Sequence, residues 1–106
     1  MGSLDFLEEL EEVIRDRLRE MPEDSYTALL ARRGVGYTAR KLGEEAVETI
    51  VEALQGSRET LVYESADLLY HLMVLLALRG ASIRDVVSEL ERRHKERAGS
   101  RGGGEG

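Results

Sequence analysis

ESADLLYHLMVLLALRG, residues 64 to 80, decides the fold, because it sets a few polar side chains in a segment that is otherwise almost continuously apolar. Apolar residues cover nearly the whole circumference of a helix drawn over residues 58 to 79, which predicts a helix buried on most sides. At 100° per residue, Glu64, Asp67 and His71 fall within a strip about 60° wide. Solubility alone does not require such a stripe.

The two carboxylates of this stripe need a compensating charge. An ionised carboxylate near a core is tolerated only when it is paired or bound to a metal, because desolvating it alone costs many kcal/mol. The nearest basic residues, Arg58 and Arg79, lie at the helix ends and offer no i, i+4 ion pair. The compensating charge therefore comes from another helix, from an arginine of a second subunit, or from an ion. His71 is more typical of a hydrogen-bonded core histidine than of a ligand.

The preceding stretch GEEAVETI, residues 43 to 50, repeats the same three-residue step with Glu45 and Glu48. The short connection through Gly56 and Ser57 predicts that the two helices are antiparallel neighbours. Two facing pairs would offer four oxygen ligand groups, which in the absence of cysteine favour Mg²⁺ or Mn²⁺ over zinc and point to a polyphosphate substrate. Taken alone, the glutamates of the helix that contains GEEAVETI also fit a solvated face; they are Glu44, Glu45, Glu48 and Glu52.

Helical periodicity continues through the rest of the chain and predicts an all-α protein with four or five helices. A helix is expected over residues 4 to 21, ended by Pro22, and a short one from an Asp24 or Ser25 cap to about Arg33, ended by Gly34 and Gly36. Residues 38 to 55 should bury one apolar face and finish at a left-handed Gly56. The residues of that face are Leu42, Ala46, Val47, Ile50, Ala53 and Leu54.

Serine caps predict the starts of the last two helices. Ser57 should cap the helix of residues 58 to 79, which stops at Gly80, and Ser82 with Asp85 should form a capping box. The inner stripe of the last helix is expected at Ile83, Val86, Val87 and Leu90. Residues 1–98 form one predicted domain, and the glycine-rich residues 99–106 a flexible tail.

Composition limits the function classes. The net charge of −6 argues against nucleic-acid binding, which needs a basic surface. The longest uninterrupted apolar run, Leu72 to Leu78, is far shorter than the about 20 residues of a bilayer span, so no membrane partner is expected. The acidic N-terminus and the absence of cysteine favour a cytoplasmic protein. Arg40, Lys41 and Arg93 could bind phosphates or only decorate a surface.

EEAVE followed by ESAD resembles the E-E-x-x-E, spacer, E-x-x-D signature of MazG-type all-α nucleotide pyrophosphohydrolases. With PEDSYTALL, KLGEEAVETIVEA, ADLLYHLMVLLALRG and VVSELERR, residues 6 to 94 resemble the phosphoribosyl-ATP pyrophosphohydrolase family. The stretch LARRGVGYTARK departs from the G-x-x-x-I-x-x-K pattern of that family, with Tyr37 or Thr38 near the usual aliphatic position.

The resemblance implies a MazG-like helical bundle that forms a homodimer or a higher homo-oligomer, and a nucleotide as the substrate. It implies Mg²⁺, with Mn²⁺ as an alternative, held by Glu45, Glu48, Glu64 and Asp67. It also implies that Glu44 orients water, so that Glu44, Glu45 and Glu48 form the catalytic set. Lys41, Arg40 and Arg93 are the predicted substrate contacts.

The activity implied is hydrolysis of phosphoribosyl-ATP to phosphoribosyl-AMP and pyrophosphate in histidine biosynthesis, by a stand-alone enzyme without a fused cyclohydrolase domain. Two alternatives stay open at this point. One is a house-cleaning nucleoside triphosphate pyrophosphohydrolase with the same metal chemistry. The other is a non-catalytic dimerisation module whose acids pair with Arg32, Arg33 or Arg92.

Overall fold

The computed structural model describes residues 2–99, and over that range it contains helices and no strand. This confirms the all-α prediction, with five helices. They are α1 (Phe6–Glu20), α2 (Tyr26–Arg33), α3 (Val35–Gln55), α4 (Arg58–Leu78) and α5 (Ile83–Gly99). Gly99 still belongs to α5, and residues 100–106, the rest of the predicted tail, lie outside the described residues.

Serine side chains start three of the helices, as predicted. Ser25 Oγ accepts from the Ala28 amide at 3.1 Å and so caps α2. Ser57 forms a reciprocal capping box with Thr60 at the start of α4. The predicted box at α5 is also present: the Ser82 amide donates to Asp85 Oδ2 at 2.9 Å. These caps depend on side chains three residues apart, which explains why sequence located them well.

Two glycine predictions were wrong. α3 begins at Val35 rather than Thr38, so Gly36 lies inside the helix and the left-handed φ of 98° at Gly34 alone makes the break after α2. Gly56 is extended, with φ −96° and ψ −172°, rather than left-handed. It leads directly into the Ser57 cap of α4, so the chain needs an extended residue there to begin the next helix.

The buried core lies where α1, α2 and α4 meet. Its fully buried apolar side chains are Ile14, Leu30, Met73 and Val74, and Ile83 at the start of α5 joins them. The most extensive packing between helices is that of α3 on α4, which forms the predicted hairpin. The core therefore holds one end of the hairpin, since Met73 and Val74 belong to the second half of α4.

Glu11 of α1 fixes the start of α5. Its side chain is buried, and its Oε2 accepts from the Ile83 amide at 2.7 Å. Beyond Ile83, the inner stripe predicted for α5 is not covered within the chain, because Val87 is 46% exposed and Leu90 49%. α5 packs mainly on α1, so the later turns of the helix extend past the body of the single chain.

Four of the six residues of the apolar face predicted for α3 are exposed, which corrects the sequence-based interpretation; Leu42 and Ala46 are half-buried. The acidic side of α3 faces α4 instead, since Glu45 and Glu48 approach Glu64. α4 also has exposed apolar side chains, at about the same distance from the turn as those of α3. We call the set the hairpin face: Val47, Ile50, Val51, Leu54, Val62 and Tyr63. Periodicity predicted that Val47, Ile50 and Leu54 share a face of α3, but it did not show which neighbour covers that face.

The sequence predicts that α4 is buried on most sides, but within one chain it is not. Only His71, Met73 and Val74 of its residues are buried. Of the described helices, α4 alone is long and apolar enough, by length and composition, to cross a membrane. The length of the longest uninterrupted apolar run did not indicate this property. The mean hydropathy over a longer window stays high even though the window contains Glu64 and Asp67. Core helices of soluble proteins have the same properties, so the absence of a membrane partner stays a prediction.

Candidate active site

Three of the predicted metal ligands converge in the hairpin. Glu45 and Glu48 lie one turn apart on α3, and Glu64 lies on the facing part of α4. One carboxylate oxygen of each residue lies within 4.8 Å of the other two. The two-residue connection between the helices produces this geometry, because it makes residues equally far from the turn into neighbours. We call Glu45, Glu48 and Glu64 the acidic trio.

Two oxygen atoms of the acidic trio lack any partner. Glu45 Oε1 and Glu64 Oε1 are buried from solvent and accept no hydrogen bond. Neither residue forms an ion pair with a lysine or arginine within the described residues. Most buried polar atoms in folded proteins find a partner, so these two orphaned acceptors indicate that a positively charged group belongs between the helices.

Electrostatics give the same indication. Burial, a hydrogen bond to Glu48 and the negative charges of Glu48, Glu45 and Asp67 together raise the pKa of Glu64 to about 7, and burial is the largest of these causes. Near neutral pH the cluster therefore holds a proton in place of a cation. Carboxylate oxygens are the ligands that divalent cations such as Mg²⁺ prefer, so the residues present fit the predicted metal.

Asp67, the fourth predicted ligand, lies next to the acidic trio rather than within it. Its side chain is half-buried, and its charge contributes to the raised pKa of Glu64. Its backbone carbonyl accepts a hydrogen bond from His71 Nδ1 at 2.8 Å. The carboxylate is thus close enough to act on the site, on a turn of α4 that a buried histidine holds in place.

Glu44, the predicted water-orienting residue, does not belong to the acidic trio. It is exposed and pairs with Lys41, with 3.5 Å between Lys41 Nζ and Glu44 Oε1. Glu44 is the main cause of the raised pKa of Lys41, and the Tyr26 hydroxyl adds to it. The ammonium group of Lys41 therefore lies between the outer acid of the motif and an aromatic residue of α2.

Tyr26 and His71 form a contact that sequence analysis missed. The Tyr26 hydroxyl and His71 Nε2 are 2.9 Å apart, and His71 is 4% exposed. In the neutral ring Nδ1 donates to the Asp67 carbonyl, so Nε2 accepts from the tyrosine. Burial raises the pKa of Tyr26, which keeps its hydroxyl protonated as a donor. The 45 residues between the partners explain why no local pattern revealed the contact.

The other two predicted substrate contacts differ in position. The Arg40 guanidinium lies 5.4 Å from the centre of the Tyr37 ring on α3, one turn before the motif. Arg93 lies on α5, where its Nε donates to Glu89 at 2.9 Å. Arg92 and Arg93 together lower the pKa of Glu89 to about 2. Arg93 is thus engaged on its own helix, and no contact within the described residues brings it to the trio.

Curated relatives resemble the chain over most of its length. A protein of Metallosphaera sedula named phosphoribosyl-ATP pyrophosphatase is 60% identical over 91 residues, which cover 86% of this chain and 98% of the relative. One of the same name from Ignicoccus hospitalis is 52% identical over 92% of this chain and 96% of its own. The Thermotoga maritima histidine biosynthesis bifunctional protein HisIE is 52% identical over 89% of this chain, which matches 48% of that longer protein.

The family comparison agrees with these relatives and with the resemblance noted from the motifs. The sequence model described as phosphoribosyl-ATP pyrophosphohydrolase matches residues 7–94, a range that includes the acidic trio, Asp67, Lys41 and the Tyr26–His71 contact. The chain belongs to the phosphoribosyl-ATP pyrophosphohydrolase family.

Proposed function

We propose that the chain hydrolyses phosphoribosyl-ATP to phosphoribosyl-AMP and pyrophosphate, the second step of histidine biosynthesis, in a reaction that depends on Mg²⁺ and that Mn²⁺ could also support. The observation that carries the metal requirement is the pair of buried, partnerless oxygens of Glu45 and Glu64. The substrate assignment is supported by the family of the chain and by the names of its relatives. A cytoplasmic location fits a small-molecule biosynthetic enzyme.

Glu45, Glu48, Glu64 and Asp67 are the proposed metal ligands. They lie on two helices joined by a short turn, so binding needs little rearrangement of the backbone. Bound Mg²⁺ would offset the charge of the triphosphate and of the leaving pyrophosphate, and it would lower the pKa of a bound water. The proton on Glu64 would be displaced on binding, because its pKa of about 7 depends on the crowding of negative charges.

The other residues of the chain act on the substrate and on water. Water attacks the α or the β phosphorus, and the bond from that phosphorus to the oxygen that bridges them breaks. The leaving group is pyrophosphate for attack at the α phosphorus and phosphoribosyl-AMP for attack at the β phosphorus, and the two products are the same. Lys41 supplies positive charge beside the acidic motif and stabilises the triphosphate, and Arg40, one turn before the motif, contacts the substrate farther from the cleaved bond. Glu44, exposed next to Lys41, orients the water or accepts its proton with Glu48. Arg93 would reach a substrate only from another subunit.

A homodimer completes the proposed enzyme. The hairpin face exposes Leu54 at 81% and Tyr63 at 68%, and 17% of the most apolar part of α4 is buried within the chain. Exposed apolar side chains in such a set mark an interaction surface. A second copy of the chain fits best, because two hairpin faces would cover each other around a two-fold axis.

Glu48→Gln and Asp67→Asn test the metal assignment. Each should reduce kcat for phosphoribosyl-ATP by more than about a hundredfold, since metal ligands are required for the chemistry. The far-UV circular dichroism of each variant should match that of the unaltered protein. Glu91→Gln, which removes an exposed acid on α5, is the matched control and should be fully active. Full activity of Glu48→Gln and Asp67→Asn would refute the assignment.

The substrate is tested separately from the metal. Purified protein with Mg²⁺ is offered phosphoribosyl-ATP, dUTP and the standard nucleoside triphosphates, and pyrophosphate release is followed. We expect the highest kcat/KM for phosphoribosyl-ATP. A preference for a free nucleotide would contradict the substrate assignment and favour a house-cleaning pyrophosphohydrolase. A protein that neither binds Mg²⁺ nor gains thermal stability from it would instead fit a non-catalytic module.

A further inference from the structure

Two arginines each contact one aromatic ring at the junction of α2 and α3. The guanidinium carbon of Arg33 lies 5.1 Å from the centre of the Tyr37 ring, and that of Arg40 lies 5.4 Å from it. Arg33 ends α2 and Arg40 belongs to α3, so the ring brings together charges from two helices. We call Arg33, Tyr37 and Arg40 the Arg–Tyr cluster. Cation–π contact with a half-buried ring orders side chains that would otherwise be mobile.

Neither arginine of the cluster has a carboxylate partner within residues 2–99. This differs from α5, where Arg92 binds Glu89 and Glu96. Two exposed guanidinium groups held near one ring repel each other, and an anion between them would relieve that repulsion. Guanidinium groups bind phosphate oxygens in a bidentate manner, so a phosphate monoester is the ligand that this arrangement fits best.

Tyr37, the ring of the cluster, lies on the same side of α3 as the acidic motif. At 100° per residue, Tyr37, Lys41, Glu44 and Glu48 fall within a strip about 60° wide. The rise of a helix places Tyr37 about 16 Å from Glu48 along this strip. Lys41 connects the two ends, since it pairs with Glu44 and its pKa is also raised by the hydroxyls of Tyr26 and Tyr37. A single elongated ligand could therefore contact both ends.

Phosphoribosyl-ATP is an elongated molecule with phosphates at both ends, as a ligand that contacts both ends of this strip would need. Its triphosphate carries the bond to be cleaved, and the additional ribose carries a second phosphate at the other end of the molecule. ATP has the triphosphate and lacks the second phosphate. An enzyme that places the triphosphate at the acidic trio can therefore distinguish the two molecules only by groups beyond the adenine. Along α3, Tyr37 of the Arg–Tyr cluster and the two α3 residues of the acidic trio lie on opposite sides of Lys41.

We infer that the Arg–Tyr cluster binds the phosphate of the added ribose and so selects phosphoribosyl-ATP over free nucleoside triphosphates. Arg33 and Arg40 bind the phosphate oxygens, and Tyr37 is a positioning residue that holds the two guanidinium groups. The inference rests on the proposed function, because it takes phosphoribosyl-ATP as the substrate. It assigns to the cluster a specificity role and leaves the cleavage chemistry to the acidic trio.

The double variant Arg33→Gln with Arg40→Gln tests the inference in the full chain with Mg²⁺. The KM for phosphoribosyl-ATP should rise about tenfold or more, the loss expected for charge-assisted hydrogen bonds, while kcat changes by less than about twofold. The inhibition constant of ATP as a competitor should stay within about twofold. Arg58→Gln removes an exposed charge at the far end of the hairpin, and it should leave both constants unchanged.

Each other outcome has a defined meaning. Equal weakening of phosphoribosyl-ATP and ATP would show a general effect of positive charge and would overturn the inference, as would no change in either. Arg33→Lys with Arg40→Lys keeps both charges and loses the bidentate geometry, so a smaller rise in KM is expected. If the glutamine variant does not fold, the lysine variant decides, and an unchanged ratio of the two constants refutes the inference. If the unaltered protein does not hydrolyse phosphoribosyl-ATP, the proposed function itself fails.

Discussion

Glu64 shows how a single side chain would link folding to the proposed binding of a cation. Its pKa of about 7 lies above the 4.5 of an unperturbed glutamic acid, mainly because of burial and then because of Glu48, Glu45 and Asp67. The sequence predicted the convergence of these acids from two equal spacings and a short turn. It could not predict that Asp67 would lie beside the trio, because a difference of a few ångström depends on how the two helices are rotated.

The free energy of unfolding of the metal-free protein should fall as pH rises from about 4.5 to about 7. The native state keeps a proton on Glu64 over this range while the unfolded state releases it, so the native state binds more protons and loses stability with rising pH. Urea midpoints in a chelator at pH 5 and pH 8 measure the effect. The drop should be smaller in Glu64→Gln, and other titrating groups cancel in that comparison.

Millimolar Mg²⁺ should counteract the loss of stability between pH 5 and pH 8. Since the cation competes with the proton, the rise in Tm on adding Mg²⁺ should be larger at pH 8 than at pH 5. The acidic control Glu91→Gln should behave like the unaltered protein. An equal drop in Glu64→Gln and in the unaltered protein would show that the pH dependence comes from elsewhere in the chain.

At the scale of the helices, caps were predictable and contacts between distant elements were not. Ser57 and Ser82 cap helices through partners three residues away, so the sequence contains the whole interaction. The bond from the Ile83 amide to Glu11 joins residues 72 positions apart. In the sequence Glu11 is one of several acids on a helix of alternating charge, and nothing local separates it from its exposed neighbour Glu12.

Glu11→Ala should lower the free energy of unfolding by about 1 to 3 kcal/mol, the usual cost of leaving a buried donor without an acceptor. The Ile83 amide would lose its partner, and α5 would be held less firmly on α1. Urea denaturation followed by circular dichroism measures the change. Glu11→Gln keeps an oxygen acceptor and should recover most of the loss, whereas Glu12→Ala, on the exposed side, should cost little. Similar costs for the two alanine variants would argue against the capping role.

On the scale of the whole molecule, the sequence prediction and the structure differ most in which apolar side chains a single chain buries. α3 and α4 are helices close to the predicted ranges, yet most of the side chains expected to be buried on α3 are exposed, as Val47 at 59% and Ile50 at 58% show. A periodic apolar stripe indicates that something covers it. The stripe has the same appearance whether the cover comes from the same chain or from a copy.

Ile50→Glu with Leu54→Glu should convert the proposed homodimer into a monomer. Two carboxylates at the centre of the hairpin face would be desolvated without partners, which opposes association. Light scattering after size exclusion should give a mass close to twice 11.9 kDa for the unaltered chain and close to 11.9 kDa for the variant. Ser88→Glu, an exposed change on α5, should keep the dimer. A monomeric unaltered chain would refute the proposed assembly.

The aromatic residues around the site have a practical consequence. The chain has no tryptophan and four tyrosines, so its ultraviolet emission comes from tyrosine alone. Tyr26, Tyr70 and Tyr37 lie near Lys41 or His71, and only Tyr63 lies on the hairpin face. Replacing Tyr63 with phenylalanine would leave a protein whose tyrosine fluorescence originates entirely beside the candidate active site, a label-free reporter of ligand binding there.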